Sequence, residues 1–113
     1  MRRAERLRQH QDFAAVYRQG RQYRDRLLVL RTLRTGCDDS RVGFTAGRAV
    51  GNAVVRNRVK RRLRAAVRSL RLNEGWDIVL NARQTTNDAD YDELRKSLKG
   101  LMERAGVLKE PTA

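Results

Sequence analysis

Cysteine and histidine are nearly absent: 113 residues hold one of each, Cys37 and His10. A disulfide and the usual Cys/His zinc site are therefore excluded. A pair of histidines for general acid–base cleavage of RNA is excluded as well. Cys37 stands in the turn-like segment Gly36-Cys37-Asp38-Asp39-Ser40 and is read as incidental, because a reactive thiol needs an electropositive setting. Long apolar runs are missing too. Runs such as Leu27–Leu30 fall far short of a bilayer span, and no apolar signal segment follows the basic N-terminus. The expectation is a soluble, cytoplasmic chain without a membrane partner. Acids are missing where bases are dense: from Ser40 to Asn73 there are ten Lys and Arg and no Asp or Glu.

Arginine is what the chain has in quantity. Lys and Arg together number 26 against 13 Asp and Glu, a formal charge of +13. Residues 1–72 carry 20 basic and 5 acidic side chains, whereas residues 73–113 carry 6 and 8. Self-repulsion on this scale opposes compaction unless a polyanion is the usual neighbour, and the pattern points to nucleic acid. The length suits a single domain over residues 1–113 with one core. Residues 1–8 (MRRAERLR) are expected as a flexible basic arm and 107–113 as a frayed tail.

Periodicity orders the rest. Phe13, Val16 and Tyr17 share one face of a helix over 10–19, with Gly20 as its stop. Residues 26–34 (RLLVLRTLR) and 41–46 (RVGFTA) read as strands, and the short turn between them predicts an antiparallel hairpin. Residues 21–24 are a weaker strand candidate. A helix over 52–72 is the clearest element, with Asn52 as N-cap. At about 100° per residue, Val55, Val59, Leu63, Ala66 and Leu70 form its buried stripe. Lys60, Arg61, Arg64, Arg68, Arg71 and Asn57 fall on the opposite side, with Arg56 near the apolar edge and Arg58 and Arg62 on a flank. Residues 76–83 (WDIVLNAR) read as a strand buried on both faces. Residues 89–105 form a last amphipathic helix, its acids at the N-terminus and Arg95, Lys96, Lys99 and Arg104 further along. The order α-β-β-α-β-α, or α-β-β-β-α-β-α with residues 21–24 counted, predicts an α+β sandwich with a small sheet and helices packed on it.

The stretch 51–64 (GNAVVRNRVKRRLR) carries the chemistry. Ordinary solvated helices mix charge signs because i,i+4 pairs stabilise them, but this one has no acid. Guanidinium forks pair with phosphates. The stretch resembles the signature of the bacterial ribonuclease P protein subunit, with Gly51, Ala53-Val54, Arg56-Asn57-Arg58, Lys60-Arg61 and Arg64 at the family spacing. Asp12-Phe13, Val16-Tyr17 and Gly20 resemble the family's first helix. Val42-Gly43-Phe44 resembles the strand before the signature, Gly75, Asp77, Val79 and Ala82-Arg83 the later strand, and Tyr91, Leu94 and Leu98 the last helix.

The resemblance implies a four-stranded sheet, a left-handed β-α-β crossover through the arginine-rich helix, and a cleft between the sheet and the first helix. Pattern alone favours the right-handed crossover. It also implies a function: the catalytic RNA of ribonuclease P, an endonuclease, removes the 5′ leader of precursor tRNA with Mg²⁺. The protein binds the leader, strengthens substrate and Mg²⁺ binding and steadies the ribonucleoprotein. Mg²⁺ is held mainly by the RNA and the substrate, and no catalytic residue or metal site falls on this chain. By the resemblance, Phe13, Tyr17, Arg31 and Arg48 belong to the leader cleft, and Arg56, Asn57, Arg58, Lys60, Arg61 and Arg64, with Arg68 beyond them, to the RNA-binding helix. Two readings of Phe13 and Tyr17 stand, stacking on a single strand or packing in the core. The chain departs from the family pattern at Ala49, where a second basic residue is usual, at Ala65, where an acid is common, and at Arg31, where some relatives have an aromatic.

Two rivals remain. A ribosomal or ribosome-assembly protein that binds rRNA has similar composition. A protein nuclease would need Asp88, Asp90 and Asp92 as metal ligands, but acids at a helix start are the commoner explanation. As a calcium loop the same run fails, with Glu93 at its sixth position and Lys99 at its twelfth.

Overall fold

The computed structural model describes residues 5–109. The elements are β1 (Glu5–Arg6), α1 (His10–Gln19), β2 (Arg21–Arg24), β3 (Leu28–Arg34), β4 (Arg41–Ala46), α2 (Ala53–Arg68), β5 (Trp76–Ala82) and α3 (Tyr91–Ala105), with 3-10 turns at Arg48–Val50 and Gln84–Asp88. Four strands form an open mixed sheet in the order β4-β5-β3-β2, and the two-residue β1 adds parallel to the outer edge of β4. β2 and β5 both run antiparallel to β3, while β4 and β5 are parallel.

The expected hairpin between β3 and β4 is not formed. β5 lies between them and pairs with both. The reason is its centre, Ile78-Val79-Leu80, which is wholly buried. A strand apolar on both faces belongs in the middle of a sheet, with neighbours on either edge. β4 therefore reaches β5 through α2, as parallel neighbours require.

Side chains of successive strand residues point to opposite faces, and the two faces of this sheet are covered differently. Leu28, Leu30, Val42, Ile78 and Leu80 pack against Val59, Leu63 and Ala66 of α2 and Leu94, Leu98 and Leu101 of α3. Val79, with Leu33, packs against Val16 and Phe13 of α1 and against Leu7.

Close approach of backbones explains two glycines. At Gly20 a Cβ would lie 2.5 Å from the Val16 carbonyl oxygen and 2.8 Å from that of Thr32. Its φ of −76° is ordinary, so it ends α1 by tight contact with β3 rather than by a left-handed turn. At Gly43 a Cβ would meet Phe13 Cζ at 2.4 Å, so the phenylalanine ring lies directly on the strand.

Near both ends, described residues of the expected arm and tail pack against the body of the fold. Leu7 is buried and its N–H donates to the Val42 carbonyl at 3.0 Å. Val107 is buried, its carbonyl accepts from Asn73 N–H at 2.7 Å, and Lys109 N–H donates to the Arg71 carbonyl at 2.9 Å. Each end contributes an apolar residue that closes a core, which an arm or a frayed tail would leave wet. Residues 1–4 of the expected arm and 110–113 of the expected tail lie outside the described residues. Among the described residues no helix is long and apolar enough to cross a membrane.

Candidate nucleic-acid interface

On the α1 face, a partly buried ion pair ties the helix to the sheet. Arg41 Nε and Nη2 donate to the two carboxylate oxygens of Asp77 at 2.9 and 2.6 Å, and Nη1 donates to Asp12 Oδ2 at 3.1 Å. Asp77 is buried in β5, so the pair is a two-pronged clamp between adjacent strands with α1 attached. These hydrogen bonds, with the charges of Asp77 and Asp12, raise the pKa of Arg41 above its ordinary value despite the opposing cost of burial.

Asp12 immediately precedes Phe13, which is half-buried over Gly43 and Leu7. One turn on, Tyr17 is 43% exposed. The Arg31 guanidinium lies over its ring at 4.6 Å from the centroid, and Asn81 Nδ2 donates to its hydroxyl at 2.6 Å. Arg31 is itself held by Gln22 Oε1 at 2.9 Å and Asn81 Oδ1 at 3.3 Å, and Asn81 also bonds Thr45. Phe13 thus belongs to the core as well as to the rim, whereas Tyr17 and Arg31 form an open aromatic–guanidinium platform. Sequence reasoning missed Gln22, Thr45 and Asn81. The signal was available for Asn81, since strand alternation puts it on the face of Asp77 and Val79.

On the other face, Asn52 Oδ1 accepts from Val55 N–H at 3.0 Å and starts α2. Val59, Leu63, Ala66 and Val67 are buried. Asn57, Arg58, Arg61 and Arg68 are exposed, while Arg56, Lys60 and Arg64 are half-buried. Arg64 differs from expectation: instead of facing solvent, its guanidinium lies 5.7 Å from the centroid of Phe44 on β4. Burial, and next the nearby Arg6 and Arg68, lower its pKa. The Nε atoms of Arg56 and Arg64 are buried without a hydrogen-bond partner. Among the described residues no basic side chain of α2 meets a carboxylate. The contrast with other arginines is clear. Arg83 and Arg104 donate to the carbonyls of Asp25 and Arg24, and Arg26 pairs with Glu93. Arg48 is exposed in the 3-10 turn between β4 and α2, with no hydrogen bond or ring contact tying it to the Tyr17–Arg31 platform.

The acidic run before α3 has a structural role. Asp90 is the N-cap, accepting from Glu93 N–H at 2.8 Å, and the Glu93 carboxylate accepts from Asp90 N–H at 3.3 Å, a complete capping box. Asp88 and Asp92 are exposed beside it. Among the described residues no three or more His, Cys, Asp or Glu side chains are grouped to hold a metal. The interface offers guanidinium, ammonium, amide and phenol groups, and its carboxylates, Asp12 and Asp77, are engaged by Arg41, a donor set that does not fit Mg²⁺, which takes carboxylate and phosphate oxygens. His10 is exposed at the start of α1.

A small mixed sheet, with an aromatic–guanidinium platform on one face and an acid-free arginine helix on the other, defines a class of compact α+β proteins with a strongly cationic surface. The family follows from comparison with known proteins. Residues 1–106 match the family model described as Ribonuclease P. The ribonuclease P protein component of Symbiobacterium thermophilum is 48% identical over 111 residues, covering 96% of each chain. That of Clostridium botulinum strain Langeland is 39% identical over 105 residues, covering 89% of this chain and 94% of its own. Among solved structures, the RNase P protein of Thermotoga maritima superposes with a TM-score of 0.80 at 30% identity, over 88% of this chain and 96% of that one. A Staphylococcus aureus RNase P protein, described as a mutant with defective mRNA degradation activity, gives 0.85 at 28% identity, over 91% and 89%. The chain belongs to the ribonuclease P protein family, and so to tRNA processing.

Proposed function

We propose that this protein is the RNA-binding subunit that holds the 5′ leader of precursor tRNA for the catalytic RNA of ribonuclease P. The observation that carries the reading is the exposed Tyr17 ring under the Arg31 guanidinium. Single strands bind where bases can stack beside cations. In this reading Arg31 replaces a stacking aromatic of some relatives by a guanidinium plane, which also stacks on a base. Phe13 and Arg48 border the leader's path, and Arg56, Asn57, Arg58, Lys60, Arg61, Arg64 and Arg68 share the phosphates of leader and catalytic RNA.

The chemical step belongs, in this proposal, to the RNA and its Mg²⁺, and the chain contributes binding and orientation. Mg²⁺ bound by the RNA complex binds more tightly when the substrate does, since coupled sites strengthen one another equally.

The test is reconstitution. With a bacterial ribonuclease P RNA at low Mg²⁺, the protein should restore cleavage at the mature 5′ end of precursor tRNA. It should also bind precursor more tightly than mature tRNA. Copurified RNA that proves to be rRNA, with no rescue, would sink the proposal in favour of a ribosomal protein. Purified protein alone, incubated with precursor tRNA and with an mRNA, tests for a nuclease activity of its own.

A further inference from the structure

The two sets of interface residues lie on opposite faces of the sheet. Phe13, Tyr17 and Arg31 are on the α1 face, while Arg64 and Phe44 are on the α2 face. A strand of RNA that touches both sets must pass around an edge. β2 bounds one side of the sheet, and β4 with its two-residue neighbour β1 bounds the other. At the β4 edge, where β1 has already ended, there is an open recess of about 400 Å³ lined by Arg6, Leu7, Arg8, Phe13 and Phe44. Its two rings come from the two faces. Among the described side chains no acid lines it, and Arg64 stacks on its Phe44 wall.

We infer that this recess is a nucleotide subsite where the single-stranded leader turns around the edge of the sheet, one base set between Phe13 and Phe44 and its phosphate among Arg6, Arg8 and Arg64. The shape and the chemistry agree. Rings facing a gap accept a base of any sequence, and unpaired guanidinium groups accept a phosphate. Burial, and next the repulsion of Arg6 and Arg68, lowers the pKa of Arg64, and an anion that enters relieves the repulsion. The buried, unpartnered Nε of Arg64 marks the same need. The recess also makes one path of what are otherwise two separate surfaces, running from the Tyr17–Arg31 platform past Phe13 and Phe44 to α2.

The inference rests on the leader-binding reading, and the experiment separates the two. Holoenzyme is assembled with Arg6→Ala, with Phe44→Leu, which keeps an apolar side chain on β4, and with Tyr17→Ala. Affinity is measured for mature tRNA and for precursors whose leaders lengthen one nucleotide at a time, alongside melting temperature and affinity for the catalytic RNA. The expected result is that Arg6→Ala and Phe44→Leu each weaken binding about tenfold, but only once the leader is long enough to pass the Tyr17 platform. Tyr17→Ala should act at shorter leader lengths. Unchanged affinity at every length in both recess variants, with Tyr17→Ala still discriminating leaders, would overturn the recess and leave the leader reading standing. A loss equal for all substrates, together with weaker binding of the catalytic RNA, would assign the recess to that RNA and overturn it as well. If the unmutated protein shows no dependence on the leader, the leader reading itself fails.

Discussion

At the residue scale, the two aromatics of α1 have different surroundings and should answer differently to truncation. Phe13 lies on Gly43 and beside Leu7, so Phe13→Ala opens space in the smaller core. The expected loss is about 2 kcal/mol of stability, below the usual cost of Phe→Ala because the ring is half-buried. Tyr17 is exposed, and Tyr17→Ala should leave the melting temperature nearly unchanged. It should instead weaken precursor binding by about 1–3 kcal/mol. Thermal melts and affinities measured on both variants decide this, and a large drop in melting temperature for Tyr17→Ala would refute the platform. The approach of α1 to the sheet is equally exposed to test at Gly43. A Cβ there would stand 2.4 Å from Phe13 Cζ, so Gly43→Ala must displace the ring and is expected to cost about 1–3 kcal/mol. Denaturant unfolding would show it.

At the scale of elements, α2 and α3 carry their charges for different reasons. The acids of α3 stand where a helix start favours them, and Asp90 and Glu93 close a capping box. Asp88, Asp90 and Asp92 changed together to Asn should therefore leave single-turnover cleavage by the holoenzyme intact. Asn also caps well, so the stability loss should stay within about 1 kcal/mol, the worth of the missing charge. Abolished cleavage would revive the protein nuclease. The arginines of α2 have no such local partners, and together they make that helix costly to its own fold. Arg56, Lys60 and Arg64 changed together to Ala should weaken RNA binding. Saturating RNA and Mg²⁺ should then recover most of the cleavage rate, because the loss is in association rather than in the chemical step.

For the whole molecule, the charge asymmetry becomes a measurable slope. Each phosphate neutralised on a single strand releases condensed counterion, so the logarithm of affinity should fall with that of salt by about 0.7 per contact. With α2, Arg6, Arg8 and Arg48 all without carboxylate partners among the described residues, a steep dependence is expected. A flat profile would mean that these groups do not face phosphates. Arg41 should not contribute to the slope, since Asp77 and Asp12 already occupy its donors.

The sequence by itself determined the elements and the family. α1 and β4 fall where hydrophobic period and turn residues put them, because local spacing sets which face can be buried, and the weaker candidate over 21–24 is strand β2. The absence of any acid from the arginine helix, which points to a polyanion, is a property that needs no coordinates. Tertiary structure alone decided three further things. Strand order was hidden because β5, late in the chain, wins the centre on apolar content, and no local rule tells β3 that its neighbour lies more than forty residues away. The packing of the ends was hidden because Leu7 is a single apolar residue among polar ones and Val107-Leu108 only a short apolar pair, and their burial depends on cores built by distant segments. The platform and the edge recess were hidden for the same reason. Tyr17, Arg31 and Asn81 come from three elements, and Arg6 and Phe44 add two more to the α1 that Phe13 shares with Tyr17. Their meeting is a consequence of packing α1 and α2 on opposite faces of one small sheet.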